Sequence, residues 1–102
     1  MTTEELARQL LQALEARGLT LATAESCTGG GIGHALAALP GRPKTFPGGV
    51  ISYTNEVKHA VLGVPQETLD VYTAVSRETA EAMARGARQV LGADAALSVT
   101  GL

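Results

Sequence analysis

The sequence has 102 residues, 45% of them hydrophobic and 18% charged, with a formal net charge of −2. That length suits one domain with a modest core, and the charge supplies no basic field for gripping nucleic acid. A single cysteine excludes an intramolecular disulfide, no apolar run approaches the roughly 20 residues that span a bilayer, and the acidic, amphipathic start MTTEELARQL is unlike a signal peptide. A cytoplasmic protein, partnered by neither nucleic acid nor membrane, is expected.

Aromatic residues are only 3%, with no Trp, so the core must come from Ala, Val, Leu and Ile. Thr2, with Glu5 three residues later, caps a first helix whose apolar stripe is Leu6, Leu10 and Leu14, and Gly18 stops it. LTLATA, from Leu19 to Ala24, reads as a short strand running into the turn ESCTGGG. IGHALAAL then reads as a small-residue helix ended by Pro40. Residues 40–48, PGRPKTFPG, form a loop, and GVISYT, Gly49 to Thr54, is the next strand. Asn55 is expected to cap a short helix, EVKHAVLG, and PQETLD reads as a turn. Ser76 caps a longer helix with Ala80, Met83, Ala84, Ala87, Val90 and Leu91 on its apolar face, and ADAALSVTG reads as a buried strand. Strands alternating with helices predict an α/β fold: a mostly parallel or mixed sheet between helical layers.

Parallel sheets place ligands beyond the carboxyl ends of their strands, where loops turn into helices. The stretch TAESCTGGG, Thr23 to Gly31, falls at such an edge. Its glycines allow a close backbone approach, and the following helix N-terminus offers free N–H groups to an anion. Ser26 or Thr28 could serve as a nucleophile beside those donors, although Gly-rich turns after strands often only permit tight packing. SYTNEVK supplies the second constellation. Tyr53 ends a strand, Asn55 opens a helix and Lys58 lies in its first turn, so a phenol and an amine could reach the same edge as Ser26. A desolvated lysine beside a serine can accept its proton, whereas most helix lysines are solvated surface charges.

TAESCTGG followed by SYTNEVKHAVLGV resembles the CinA C-terminal domain family, which includes nicotinamide mononucleotide amidases of the PncC type. The likeness runs from about Leu6 to Leu102 and takes in GVP at 63–65, AVS at 74–76 and the closing SVTG. It implies a single domain over 1–102 that hydrolyses the carboxamide of nicotinamide mononucleotide to nicotinic acid mononucleotide and ammonia, with no metal or other cofactor. In that reading Ser26 is the nucleophile, Lys58 its general base, and Tyr53 a group that relays protons or orients the pair. Glu25, Thr28, Gly29, Gly30 and Asn55 would contact substrate, the backbone of Thr28, Gly29 and Gly30 supplying oxyanion or phosphate donors. Family domains usually continue past a strand like LSVTG, so an incomplete C-terminal end is expected, with the apolar faces it leaves favouring a homo-oligomer. The alternative is a non-catalytic nucleotide- or phosphate-binding or assembly module of the same fold.

Several other residues have competing readings. Cys27 could attack a carboxamide with His34 or His59 as base, but a small buried side chain is the simpler expectation. Neither histidine has a second metal-type ligand at ligand spacing. Glu25 could hold Lys58 or a ribose hydroxyl, or equally cap the turn. Arg42 and Lys44 could meet a phosphate or simply be solvated.

Overall fold

The computed structural model describes residues 1–41 and 44–101. The chain order is α1 (Thr3–Ala16), β1 (Leu21–Glu25), α2 (Gly31–Ala37), β2 (Gly48–Ile51), α3 (Asn55–Ala60), α4 (Gln66–Tyr72), α5 (Arg77–Leu91) and β3 (Ala95–Val99). The strands form a parallel sheet in the order β2-β1-β3, with Thr23 opposite both Gly49 and Leu97. β1 is therefore central, and the chain crosses it in both directions: outward through α2 to β2, then back through α3–α5 to β3.

Crossovers between parallel strands share one hand, so connections running in opposite directions must lie on opposite faces of the sheet. The alternation along β1 shows this. Leu21 packs with Ala7 and Leu11 of α1 and with Leu36 and Leu39, whereas Ala22 and Ala24 pack with Leu62, Val64, Leu69, Met83 and Ala87. Helices thus cover both faces in three layers, as the sequence predicts. Leu11 and Met83 are fully buried, each contributing about 2 kcal/mol of hydrophobic stabilisation. The starts of β1 and β3 are tied by Asp94 and Thr20: the Thr20 N–H donates to Asp94 Oδ2 at 2.8 Å, and the Asp94 N–H donates to Thr20 Oγ1 at 3.1 Å.

Several local readings need correction. The α1 face that packs is Ala7, Leu11 and Leu14, while Leu6 is 59% exposed. Steps of four residues drift around a helix by about 40° each, whereas spacings of four and then three stay on one side. PQETLD is the start of α4 rather than a turn: Pro65, at φ −59°, stands at the N-cap, and Leu69 is buried. Proline's fixed φ suits a helix start as well as a turn. Thr54, not Asn55, caps α3 by accepting from the Val57 N–H. On α5 Val90 is 51% exposed and Gly86 is buried; a Cβ there would run into the Leu62 carbonyl, so glycine lets α5 lie against the loop after α3. β3 is only partly buried. Arg42, one of the candidate phosphate contacts, lies outside the described residues, and Lys44 is exposed in the loop before β2.

Candidate active site

The loop leaving β1 turns towards α2 on one face, and the loop leaving β2 turns towards α3–α5 on the other. Between the carboxyl ends of two such strands a parallel sheet opens a crevice. The two motifs meet there. A period of two decides which side chain goes where. Glu25 shares the α2 face with Leu21 and Thr23, while Ser26, the next residue, continues the Ala22–Ala24 parity towards α3.

Lys58 is 1% exposed, and its Nζ has three oxygen neighbours: Ser26 Oγ at 3.0 Å, the Ser52 carbonyl at 2.8 Å and the Tyr53 carbonyl at 3.3 Å. Carbonyls only accept, so the two of them fix two N–H bonds of the amine. The remaining tetrahedral position faces Ser26 Oγ. In the ammonium that position is a third donor; in the neutral amine it is the lone pair, and the serine hydroxyl donates to it. Burial pushes the Lys58 pKa down, opposed by the neighbouring Cys27, whose negative form favours the ammonium. No salt bridge to Lys58 is found among the described residues.

Glu25 is 2% exposed and faces the other way. Its Oε1 accepts from Thr28 Oγ1 at 2.7 Å and from the Ile32 N–H at 2.7 Å, and its Oε2 accepts from the Gly33 N–H at 2.8 Å. Burial alone would raise its pKa, but hydrogen bonds from Thr28, Gly33, Ile32 and Thr23 outweigh it and hold the carboxyl below the usual value. Of the readings open for Glu25, this is the turn cap: it neither meets Lys58 nor faces the cleft. It also corrects the expectation that the α2 N-terminus waits for an anion, because the protein's own carboxylate already takes the Ile32 and Gly33 N–H groups.

The turn itself sorts the expected backbone donors. Gly29 N–H donates to the Ser26 carbonyl and Gly31 N–H to the Thr28 carbonyl, so Gly29 is engaged internally. The N–H groups of Cys27, Thr28 and Gly30 have no partner among the described residues. Gly29 and Gly30 adopt φ of +60° and +102°, which only glycine takes without strain. Gly30 also passes close to the Ile51 side chain.

A cleft of about 330 Å³ is lined by Ser26, Cys27, Tyr53, Asn55, Lys58, Ala74 and Gly101. A larger hollow of about 440 Å³ between Leu36, Leu39 and Phe46 has no titratable lining residue, and one of about 380 Å³ is lined by Glu15, Gly41, Lys44 and Thr45; the buried Ser26–Lys58 pair lines the 330 Å³ cleft. Ser26, Lys58, Tyr53 and Asn55 are therefore brought together, while Glu25, Thr28, Gly29 and Gly30 build the turn behind them. Tyr53 meets Lys58 through its carbonyl; its phenol oxygen has no hydrogen-bond partner among the described residues. Cys27 is exposed rather than buried, in the turn just past the end of β1, where it lines the cleft. Of the two histidines, His59 holds the Val64 carbonyl through Nδ1 at 2.7 Å and His34 is exposed on α2; neither lines the cleft.

Ser52 carries no expected role, yet it is fully buried and central. Its N–H donates to the Glu25 carbonyl at 2.7 Å, its Oγ to the same oxygen at 3.2 Å, and its own carbonyl takes Lys58. Its signal in the sequence is parity: two residues after the core-facing Val50, a serine falls on the buried face.

A three-layer parallel α/β domain with a buried lysine–serine pair at the crevice between its first two strands defines the class. The chain belongs to the CinA C-terminal domain family, which it matches over residues 3–102. It is 50% identical to a CinA-like protein of Parasynechococcus marenigrum over 101 residues, covering 99% of this chain and 24% of that protein. It is 52% identical to a CinA-like protein of Leptospira borgpetersenii over 99 residues, covering 97% of this chain and 23% of that one. Among solved structures, the competence damage-inducible protein A of Klebsiella pneumoniae superposes with a TM-score of 0.96 at 42% identity, over 99% of this chain and 63% of that one. A competence/damage-inducible protein of Agrobacterium tumefaciens superposes with a TM-score of 0.90 at 44% identity, over 98% and 61%. The chain thus spans about a quarter of the length of these curated relatives and about three fifths of these solved ones. No helix among the described residues is long and apolar enough to cross a membrane.

Proposed function

We propose that the domain is an amidohydrolase acting on the carboxamide of nicotinamide mononucleotide through an acyl-enzyme on Ser26. The observation that carries this reading is Lys58 Nζ, buried and 3.0 Å from Ser26 Oγ, with its pKa lowered by burial. Neutral Lys58 accepts the Ser26 proton as Oγ attacks the amide carbon, and the unpartnered N–H groups of Cys27 and Thr28 suit the oxyanion that develops. The C–N bond then breaks, Lys58 returns the proton to the departing ammonia, and Ser26 is left acylated. Water attacks the ester, giving its proton to Lys58, which passes it back to Ser26 as the acid leaves. The Ser52 and Tyr53 carbonyls keep the amine aimed throughout. Asn55 lies at the cleft to meet substrate, and the exposed Leu6, Leu10 and Leu97 favour a homo-oligomer.

The test is ammonia release from nicotinamide mononucleotide. Ser26→Ala should lose nearly all of it while keeping its melting temperature, because one turn hydroxyl matters far less to stability than to a covalent mechanism. Turnover by a folded Ser26→Ala protein at near wild-type rate refutes the serine mechanism. Binding without ammonia release by the wild type would select the non-catalytic module instead.

A further inference from the structure

The amidase reading leaves open what holds a planar substrate in a cleft whose lining side chains are mostly small or polar. Cys27, Ala74 and Gly101 are small, Ser26 and Lys58 are engaged with each other, and Asn55 is polar. Tyr53 is the one large side chain with an apolar face among the lining residues. It is 74% exposed, in a chain with two tyrosines, one phenylalanine and no tryptophan. Its phenol oxygen is unpartnered among the described residues, so no hydrogen bond accounts for its position.

Its backbone is nevertheless fixed on both sides. Ser52 is bound to the Glu25 carbonyl at 2.7 Å, the Tyr53 carbonyl takes Lys58 at 3.3 Å, and Thr54 caps α3. A ring rooted in a rigid segment loses little entropy when a ligand settles on it. Flat heteroaromatic rings stack on exposed tyrosine faces with substantial gain, whereas aliphatic amides have no face to offer. We propose that the Tyr53 ring is the platform on which a planar aromatic carboxamide stacks before Ser26 attacks, and that it selects aromatic over aliphatic amides. This rests on the amidase reading for the position of the reacting carbonyl, but the stacking can be measured without turnover.

The absence of tryptophan makes tyrosine emission legible. In a Ser26→Ala/Tyr72→Phe background the protein cannot form the acyl-enzyme, and Tyr53 is the sole remaining tyrosine. Nicotinamide mononucleotide and benzamide should quench its emission saturably, and isobutyramide should not. By calorimetry in the Ser26→Ala protein, Tyr53→Leu should weaken both aromatic ligands at least tenfold, and Tyr53→Phe should restore affinity to within threefold. Because Tyr53 is exposed, both variants should keep the wild-type melting temperature. Equal binding of isobutyramide and benzamide, undiminished binding by Tyr53→Leu, or a Phe variant as weak as Leu overturns the platform. So does a wild type that binds no aromatic amide. Quenching by benzamide with none by the mononucleotide keeps the platform and refutes the mononucleotide as substrate.

Discussion

Two charged side chains are buried on either side of one strand end, and their environments treat the charge in opposite ways. Glu25 and Lys58 are each no more than 2% exposed, and each has its pKa lowered. For a carboxyl, lowering means the charge is kept; for an amine, it means the charge is more easily lost. Glu25 accepts from two backbone N–H groups and the Thr28 hydroxyl, so its anion is solvated by the protein and its work is structural. Lys58 faces two carbonyls and a hydroxyl in a buried setting, and desolvation leaves it nearer to giving up a proton. A buried charge becomes a reagent where the protein solvates it less well than water does, and a fastener where it solvates it fully.

The largest effect should come from breaking the reactive half. Lys58→Met and Lys58→Arg should each lower ammonia release by about 10³-fold, the order contributed by a positioned general base. Arginine fails because guanidinium stays protonated and cannot accept the serine proton. An Arg variant with near-normal turnover would reduce Lys58 to an electrostatic contact. In the wild type the rate should rise with pH on a limb whose midpoint lies below the ordinary lysine value of 10.5, and a midpoint at or above that value would contradict the burial argument.

Breaking the structural half should cost stability. Glu25→Gln places an NH₂ group against N–H donors that need an acceptor, and should destabilise the domain by about 3 kcal/mol, a fall in Tm of roughly 10–20 °C. The wild type should show the same dependence in acid. A carboxyl held below its unfolded pKa contributes stability that is fully present above the unfolded value and is lost as pH falls through the folded one. Acid titration followed by circular dichroism should show this loss in the wild type and a flatter profile in Glu25→Gln; indistinguishable profiles would mean that Glu25 is not the fastener.

Lys58 should leave an opposite and smaller mark on stability. Because its folded pKa lies below its unfolded one, the unfolded chain binds more protons in the window between the two, and stability rises with pH there. Denaturant midpoints from neutral pH to pH 10 should climb in the wild type and stay flat in Lys58→Met. A wild-type midpoint that falls across this window would show that the amine is better solvated in the fold than in water.

Much of this contrast was legible in the sequence, and what was not has identifiable causes. Gly-rich turn after strand, caps at Thr2 and Ser76, and the pairing of Ser26 with Lys58 follow from local chemistry and from the resemblance that TAESCTGG and SYTNEVK carry. The division of labour between Glu25 and Ser26 depends on side-chain parity at the last residue of β1, where a shift of one position exchanges the two faces. The turn reading of PQETLD failed because Pro65 serves a helix start as readily as a turn. The Leu6–Leu10 stripe failed because steps of four drift around the helix, so that Ala7, Leu11 and Leu14 face the core instead. Ser52 went unnoticed because its part is played mostly by backbone groups, which no side-chain motif announces.

The finest distinction falls on Cys27, which is exposed in the cleft and favours the ammonium form of Lys58. If its negative form is what holds the Lys58 pKa up against burial, Cys27→Ser removes that support and the amine becomes neutral at lower pH. The rising limb of the pH–rate profile should then move to lower pH. The plateau rate should change by less than threefold, since the serine hydroxyl fills nearly the same space and Ser26 still carries the attack. Profiles of the two proteins in the same buffers, with reductant present, resolve this shift. A limb that moves upward contradicts the assigned sign of the Cys27 effect, and a Cys27→Ser protein with no plateau at all transfers the nucleophile from Ser26 to the thiol beside it.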